Sequence, residues 1–180
     1  MDALFTEGYF ESAKLLLKGV AIGELRPGIE GVAAVFLSRH FLELALKFAL
    51  FHSRWLEDAT RNAAEVEPVG RSHDLSSLWD KLTAELRTKP KSVPKDLDLD
   101  FVAKFVKEFH ACDPHNWRFR YSGHQLPAVH SSRDALGIDF DSLLLNLEHA
   151  HDVLETLDTY MVETYGENKE WQEEQNSWRG

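Results

Sequence analysis

A chain of 180 residues with 43% hydrophobic and 28% charged side chains has the make-up of a folded globular protein, with length for one sizeable core rather than two. Its single cysteine, Cys112, excludes an intramolecular disulfide scaffold and points to a reducing, cytoplasmic setting. No run of about 18 apolar residues occurs, and the start lacks a basic region leading into an apolar stretch, so neither membrane insertion nor export is expected.

The net charge of -10 argues against a surface that embraces a long phosphate backbone. The excess is local, however. Residues 139–180 carry eleven acids against Lys169 and Arg179, whereas residues 1–138 carry nineteen acids and eighteen bases. Arg87, Lys89, Lys91 and Lys95 form a basic run without an intervening acid, and Arg118 and Arg120 follow, so an anion would go to the middle of the chain.

In residues 4–22 the apolar positions Phe5, Tyr9, Phe10, Ala13, Leu16, Leu17, Val20 and Ala21 recur at helical spacing, with Glu11, Lys14 and Lys18 on the other side. Gly23 and Pro27-Gly28 supply a stop and a turn. A second helix is expected from Ile29 to about Ala64. It is apolar almost all round, through Val35, Phe41, Leu42, Leu46, Leu50 and Phe51, and belongs at the centre of a bundle or in a subunit interface. One narrow polar stripe crosses it at Arg39, His40, Glu43, Lys47 and Arg54, with Glu43 and Lys47 in the favourable i,i+4 order.

Asp74 is placed to cap a third helix whose core face is Leu75, Leu78, Trp79, Leu82 and Leu86. "RTKPKSVPKD" then reads as a solvated loop. Asp96, Asp98 and Asp100 compete to cap a fourth helix with Phe101, Val102, Phe105, Val106 and Phe109 on one face, ending by about Cys112 before Pro114. From Asp113 to Ile138 no periodicity persists, so a long loop rich in aromatics is expected, of the kind that usually carries function. Asp139 or Asp141 caps the last helix, with Leu144, Leu147, Leu154, Leu157 and Met161 buried and Gly166 at its C-terminal position. The expected fold is all-α: a single-domain helical bundle of about five main helices over residues 1–166, with one long aromatic loop. A polar tail follows at 167–180, in which Trp171 and Trp178 share one side if it is helical.

Signatures of nucleotide folds, hydrolase elbows and zincins are absent. Glu148-x-x-His151 is half of a di-metal carboxylate motif with no second copy, and a hydrogen-bonded core histidine is the better reading of His151. "HACDPH" holds zinc-ligand types at His110, Cys112, Asp113 and His115 without the separated partner pair that a closed site draws on. No metal or other cofactor is expected, and nothing marks Cys112 as a nucleophile. The stripe Arg39, His40, Glu43, Lys47 is a solvated edge, an internal polar network or one wall of a ligand-binding cleft, depending on what lies opposite.

"NWRFRYSGHQ", residues 116–125, sets Arg118 and Arg120 among Trp117, Phe119 and Tyr121, with His124 close behind. An arginine can stabilise the charge that builds on a phosphorane while an imidazole moves a proton, which together suffice for metal-free RNA cleavage by the neighbouring 2′-hydroxyl. In that reading Arg118 and His124 are catalytic and Arg120 and Tyr121 contact the ligand. The competing reading is an aromatic plug with its arginines turned outward.

"SRHFLELALKFAL", "SHDLSSLW" and "FRYSG" together resemble the HEPN superfamily, the higher eukaryote and prokaryote nucleotide-binding domains, in its prokaryotic helical-bundle members. The resemblance covers roughly residues 5–165. It implies a bundle of four or more helices, frequent homodimerisation, here through the apolar second helix, and a group that includes metal-independent ribonucleases of toxin and defence systems beside non-catalytic relatives. Active members carry Arg, four to six residues, then His, a spacing that Arg118 and His124 match. RNA or a nucleotide is then the expected ligand. A non-catalytic adaptor that dimerises and recruits a protein through Trp171 and Trp178 is the alternative, and a small-molecule pocket lined by His40, Glu43 and His151 is a third reading.

Overall fold

Every long apolar periodicity in the chain becomes a helix. A computed structural model describes residues 3–55, 72–89, 93–112 and 137–177, the last of these by backbone alone beyond residue 164. Among them lie five α-helices and no strand: α1 (Ala3–Ala21), α2 (Val32–Trp55), α3 (Leu75–Thr88), α4 (Leu99–Cys112) and α5 (Phe140–Ser177). They form one all-α, single-domain bundle. No described helix is long and apolar enough to cross a membrane.

α2 is the central rod. It packs against α1, α3 and α5, while α4 closes the remaining side by bridging α3 and α5. Its all-round apolar character is therefore used within the chain: Val35, Phe41, Leu42, Leu46, Ala49 and Leu50 are all buried. Around it, α1 contributes Phe10, Ala13, Leu17 and Val20, spaced three and four apart, and α5 contributes Leu147, Leu154, Leu157 and Met161. Each such leucine removed from water contributes about 1.5–3 kcal/mol. Phe5, assigned to the core face of α1 by spacing alone, is instead 67% exposed.

The ends of the helices follow local chemistry. Gly23, at φ 80°, sits in the left-handed region that closes α1, its amide donating to Val20 O at 3.1 Å. A single π-helical turn, Pro27–Gly31, then leads into α2, so the second helix starts with a wide turn instead of a regular one. Glu30 clasps that turn, accepting from the Arg26 amide at 2.9 Å and its guanidinium at 2.8 Å. The guanidinium hydrogen bond holds the Glu30 carboxyl at about 2. Gly31 lies so close to Phe140 at the start of α5 that an added Cβ would stand 2.7 Å from the ring. α2 is described to Trp55, and the expected continuation to Ala64 falls outside the described residues.

Asp74 caps α3, accepting from the Ser77 amide at 2.9 Å. Of the three aspartates before α4, Asp98 is the cap, accepting from the Phe101 amide at 3.0 Å. Asp139 caps α5 through the amides of Asp141 and Ser142 and the Ser142 hydroxyl, bonds that lower its carboxyl pKa. α5 does not stop at Gly166 but runs through it to Ser177. An interior glycine costs a helix only about 1 kcal/mol relative to alanine, and the following Glu, Lys and Gln residues are good helix formers. Since His52 meets Asp158, α5 runs parallel to α2, and its last turns continue past the level of Trp55.

Candidate functional site

Residues spaced by four on a helix share a face, so Arg39, Glu43 and Lys47 of α2 project together. The structure turns that face inward, toward the start of α3. Lys47 Nζ donates to Glu43 Oε1 at 2.8 Å, and Arg39 Nη1 reaches Glu43 Oε2 at 3.4 Å. Arg39 Nη2 donates to the backbone carbonyl of His73 at 2.7 Å, and His73 Nδ1 lies 2.8 Å from Glu43 Oε1. Arg39 is 0% and Glu43 1% exposed, and Lys47 is mostly buried. Of the three possibilities open to the stripe, an internal polar network is the one found, and its arginine and glutamate have no surface to offer a ligand.

Burial alone would push the Glu43 carboxyl up. The hydrogen bond and charge of Lys47, joined by His73, outweigh it and hold the carboxyl below its ordinary range. Glu43 is thus an anion in the core, and an anion accepts. His73 satisfies it by donating from Nδ1. The His73 side chain is 53% exposed. The arrangement is an imidazole at the surface, oriented from beneath by a buried carboxylate, and it is suited to moving a proton.

His73 is the functional candidate that a residue-by-residue reading passes over. Its signal lies in the neighbouring cap: Asp74 is occupied with the Ser77 amide, so the preceding residue is held at the mouth of α3, facing back over α2. The last turn of α4 joins this end of the bundle, where His110 Nδ1 stands 3.5 Å from Asp74 Oδ1. Phe109 and Cys112 of α4, Val35 of α2 and Ile138 and Ser142 beside the start of α5 line a common pocket of about 230 Å³. The chain therefore leaves α4 and rejoins α5 around one pocket, with the last turn of α4 beside Asp74. Arg118, Arg120, Tyr121 and His124 belong to that connection and lie outside the described residues, as does Trp178.

The other candidates are separated from this cluster. His40 points to α1, its ring edge-on to Tyr9 at 4.4 Å and stacked over Phe36 at 5.9 Å. His151 stacks on Phe10 at 3.8 Å, with Nε2 3.0 Å from Glu7 Oε2, and is a core-edge histidine held by hydrogen bonding. His40, Glu43 and His151 thus face three different neighbours. Glu148 is engaged by Lys14 and Lys18 at 3.7 and 3.4 Å. Cys112 is exposed, while Asp113 and His115 lie outside the described residues. Among the described residues no group of three or more His, Cys, Asp and Glu could hold a metal ion. Lys89 of the basic run is buried, donating to the Ser53 carbonyl near the end of α2 at 2.7 Å, so this part of "RTKPKSVPKD" is not solvated.

Comparison with protein-family models, curated proteins and solved structures finds no match for this chain. The functional reading accordingly rests on the residues themselves.

Proposed function

We propose that this chain is a HEPN-like helical module that acts as a homodimer on RNA or a nucleotide, cleaving RNA without a metal ion in the manner of toxin and defence ribonucleases. One observation carries this reading. The buried Glu43 joins α2, from "SRHFLELALKFAL", to His73, from "SHDLSSLW", and so draws together two segments on which the resemblance rests. It does so at the end of the bundle where the connection bearing Arg118 and His124 departs. In the proposed reaction Arg118 stabilises charge on the phosphorus, His124 moves the proton, and Arg120 and Tyr121 position the strand. His73 and His110 put two imidazoles at the end from which that connection leaves α4. A homodimer formed along α2 would use the half-buried strip at Leu37, Leu44 and Phe51, which follow one another at seven-residue spacing on one face.

The test is cleavage of a mixed-sequence RNA in excess chelator. Activity is expected to persist there and to disappear in both Arg118→Ala and His124→Ala while helical circular dichroism is retained. Activity unaffected by either substitution, or dependent on a divalent ion, would sink the proposal.

The continuation of α5 through Gly166 favours a second reading, a non-catalytic dimerising adaptor, because it carries Trp171 on a helical rod. Deleting residues 167–180 should then abolish association while the bundle still melts cooperatively, and an unchanged oligomeric mass and partner profile would count against it.

A further inference from the structure

On the face of α2 opposite Glu43, a second pocket of about 230 Å³ opens between α1, α2 and α5. Phe41, Ala45 and Phe48 follow the helical repeat along that face and, with Leu154 of α5, make an apolar floor. The rim is of different character. Glu7 of α1 and Glu155 and Asp158 of α5 stand over the floor, and neither lysine nor arginine is among the residues that line the pocket.

Among the described residues, the basic groups bonded to these carboxylates are imidazoles. His151 Nε2 lies 3.0 Å from Glu7 Oε2 and its Nδ1 4.0 Å from Glu155 Oε2, while His52 Nδ1 lies 2.7 Å from Asp158 Oδ1. Two imidazoles cannot offset three carboxylates, so the mouth keeps a net negative charge above the two phenyl rings. His151 is braced against Phe10 at 3.8 Å, which keeps this wall rigid. An aromatic floor under a carboxylate rim matches one class of molecule: the alkyl stem lies on the rings, and the positive head meets the carboxylates and the ring faces. The volume falls below the range of about 300–1,000 Å³ that suits drug-sized ligands, which limits the occupant to something small. No three of the described His, Cys, Asp and Glu side chains could hold a metal ion, so the cation that fits is organic.

We infer that the pocket between α1, α2 and α5 binds a small aliphatic amine in its ammonium form. The site stands on residues separate from the His73 cluster, so it holds or fails independently of the RNA-directed reading.

The experiment is calorimetric titration of the full chain with n-pentylamine and cadaverine, with n-pentanol as the uncharged counterpart of the same length. Saturable binding of both amines and none of the alcohol is expected. Asp158→Asn and Glu155→Gln should each weaken binding by about tenfold, the worth of one charge-assisted contact. Ala45→Phe should fill the floor and abolish binding with helical content unchanged. If Ala45→Phe fails to fold, the exposed Glu155→Gln carries the same decision. The inference is overturned if neither amine binds at millimolar concentration, if pentanol binds as well as pentylamine, or if the two carboxylate variants bind as the unaltered chain does.

Discussion

Glu43 and His73, thirty positions apart in the chain, meet at 2.8 Å across the α2–α3 junction, one side chain fully buried and the other half in solvent. Arg39 and Lys47 hold the carboxylate from either side along the helix, so the pair sits on a base of fixed charge. The cost of disturbing it differs for each member.

Glu43→Gln keeps the shape but leaves Arg39 and Lys47 as buried cations without a counter-ion. A loss of about 3–5 kcal/mol in urea unfolding is expected. His73→Ala removes a hydrogen bond from a half-exposed ring and should cost only about 1 kcal/mol. Replacing Arg39, Glu43 and Lys47 together by Met, Leu and Met removes both charge and partner, and should leave stability nearly unchanged or raised. A triple variant less stable than Glu43→Gln would contradict this account of the network.

The direction of the Glu43 shift fixes its pH dependence. Its folded pKa lies below the ordinary carboxylate value, so the unfolded chain binds the proton first on acidification. The stabilisation is fully present above the unfolded value of about 4.3 and is lost as pH falls through the folded one. The stability difference between the unaltered chain and Glu43→Gln, followed by urea unfolding across that range, should therefore shrink in acid. A difference that grows on acidification would reverse the sign argued here.

Gly31 and Phe140 form the contact that seats the start of α5 on the turn before α2. A methyl group at Gly31 would meet the Phe140 ring at 2.7 Å, and a ring held in the core has no flexible end to withdraw. Gly31→Ala is expected to lower stability by about 1–3 kcal/mol, as overpacking does. Combining it with Phe140→Leu should cost less than the sum of the two single changes, a coupling measurable in a double-mutant cycle.

Lys89 divides the basic run by role. Because its ammonium group donates to the Ser53 carbonyl inside the bundle, Lys89→Met should lower the melting temperature and, under the RNA-directed proposal, leave RNA affinity unaltered. Arg87→Met should do the reverse, since its side chain is exposed at the end of α3. Filter binding at two salt concentrations separates the outcomes, because phosphate contacts appear in the salt slope.

Helices α1 to α5, the cap at Asp74 and the choice of Asp139 or Asp141 for α5 were legible in the sequence, as was a second helix for a bundle centre or a subunit interface, because each is written in residues within a turn or two of one another. A 3.6-residue repeat of apolar side chains states which face leaves water, and a carboxylate ahead of it can bond only to the amides that follow. The choice of Asp98 over Asp96 and Asp100 and the exposure of Phe5 were decided by where the backbone met its neighbours, while the passage of α5 through Gly166 follows from the helix formers beyond it outweighing one glycine. The candidate site divides along the same line. That Arg39, Glu43 and Lys47 share a face is local geometry. That the face is buried, that His73 closes over it and that His40 looks elsewhere depended on α3 arriving from thirty residues away, and the energy of a charge depends on what surrounds it far more than on its place in the chain.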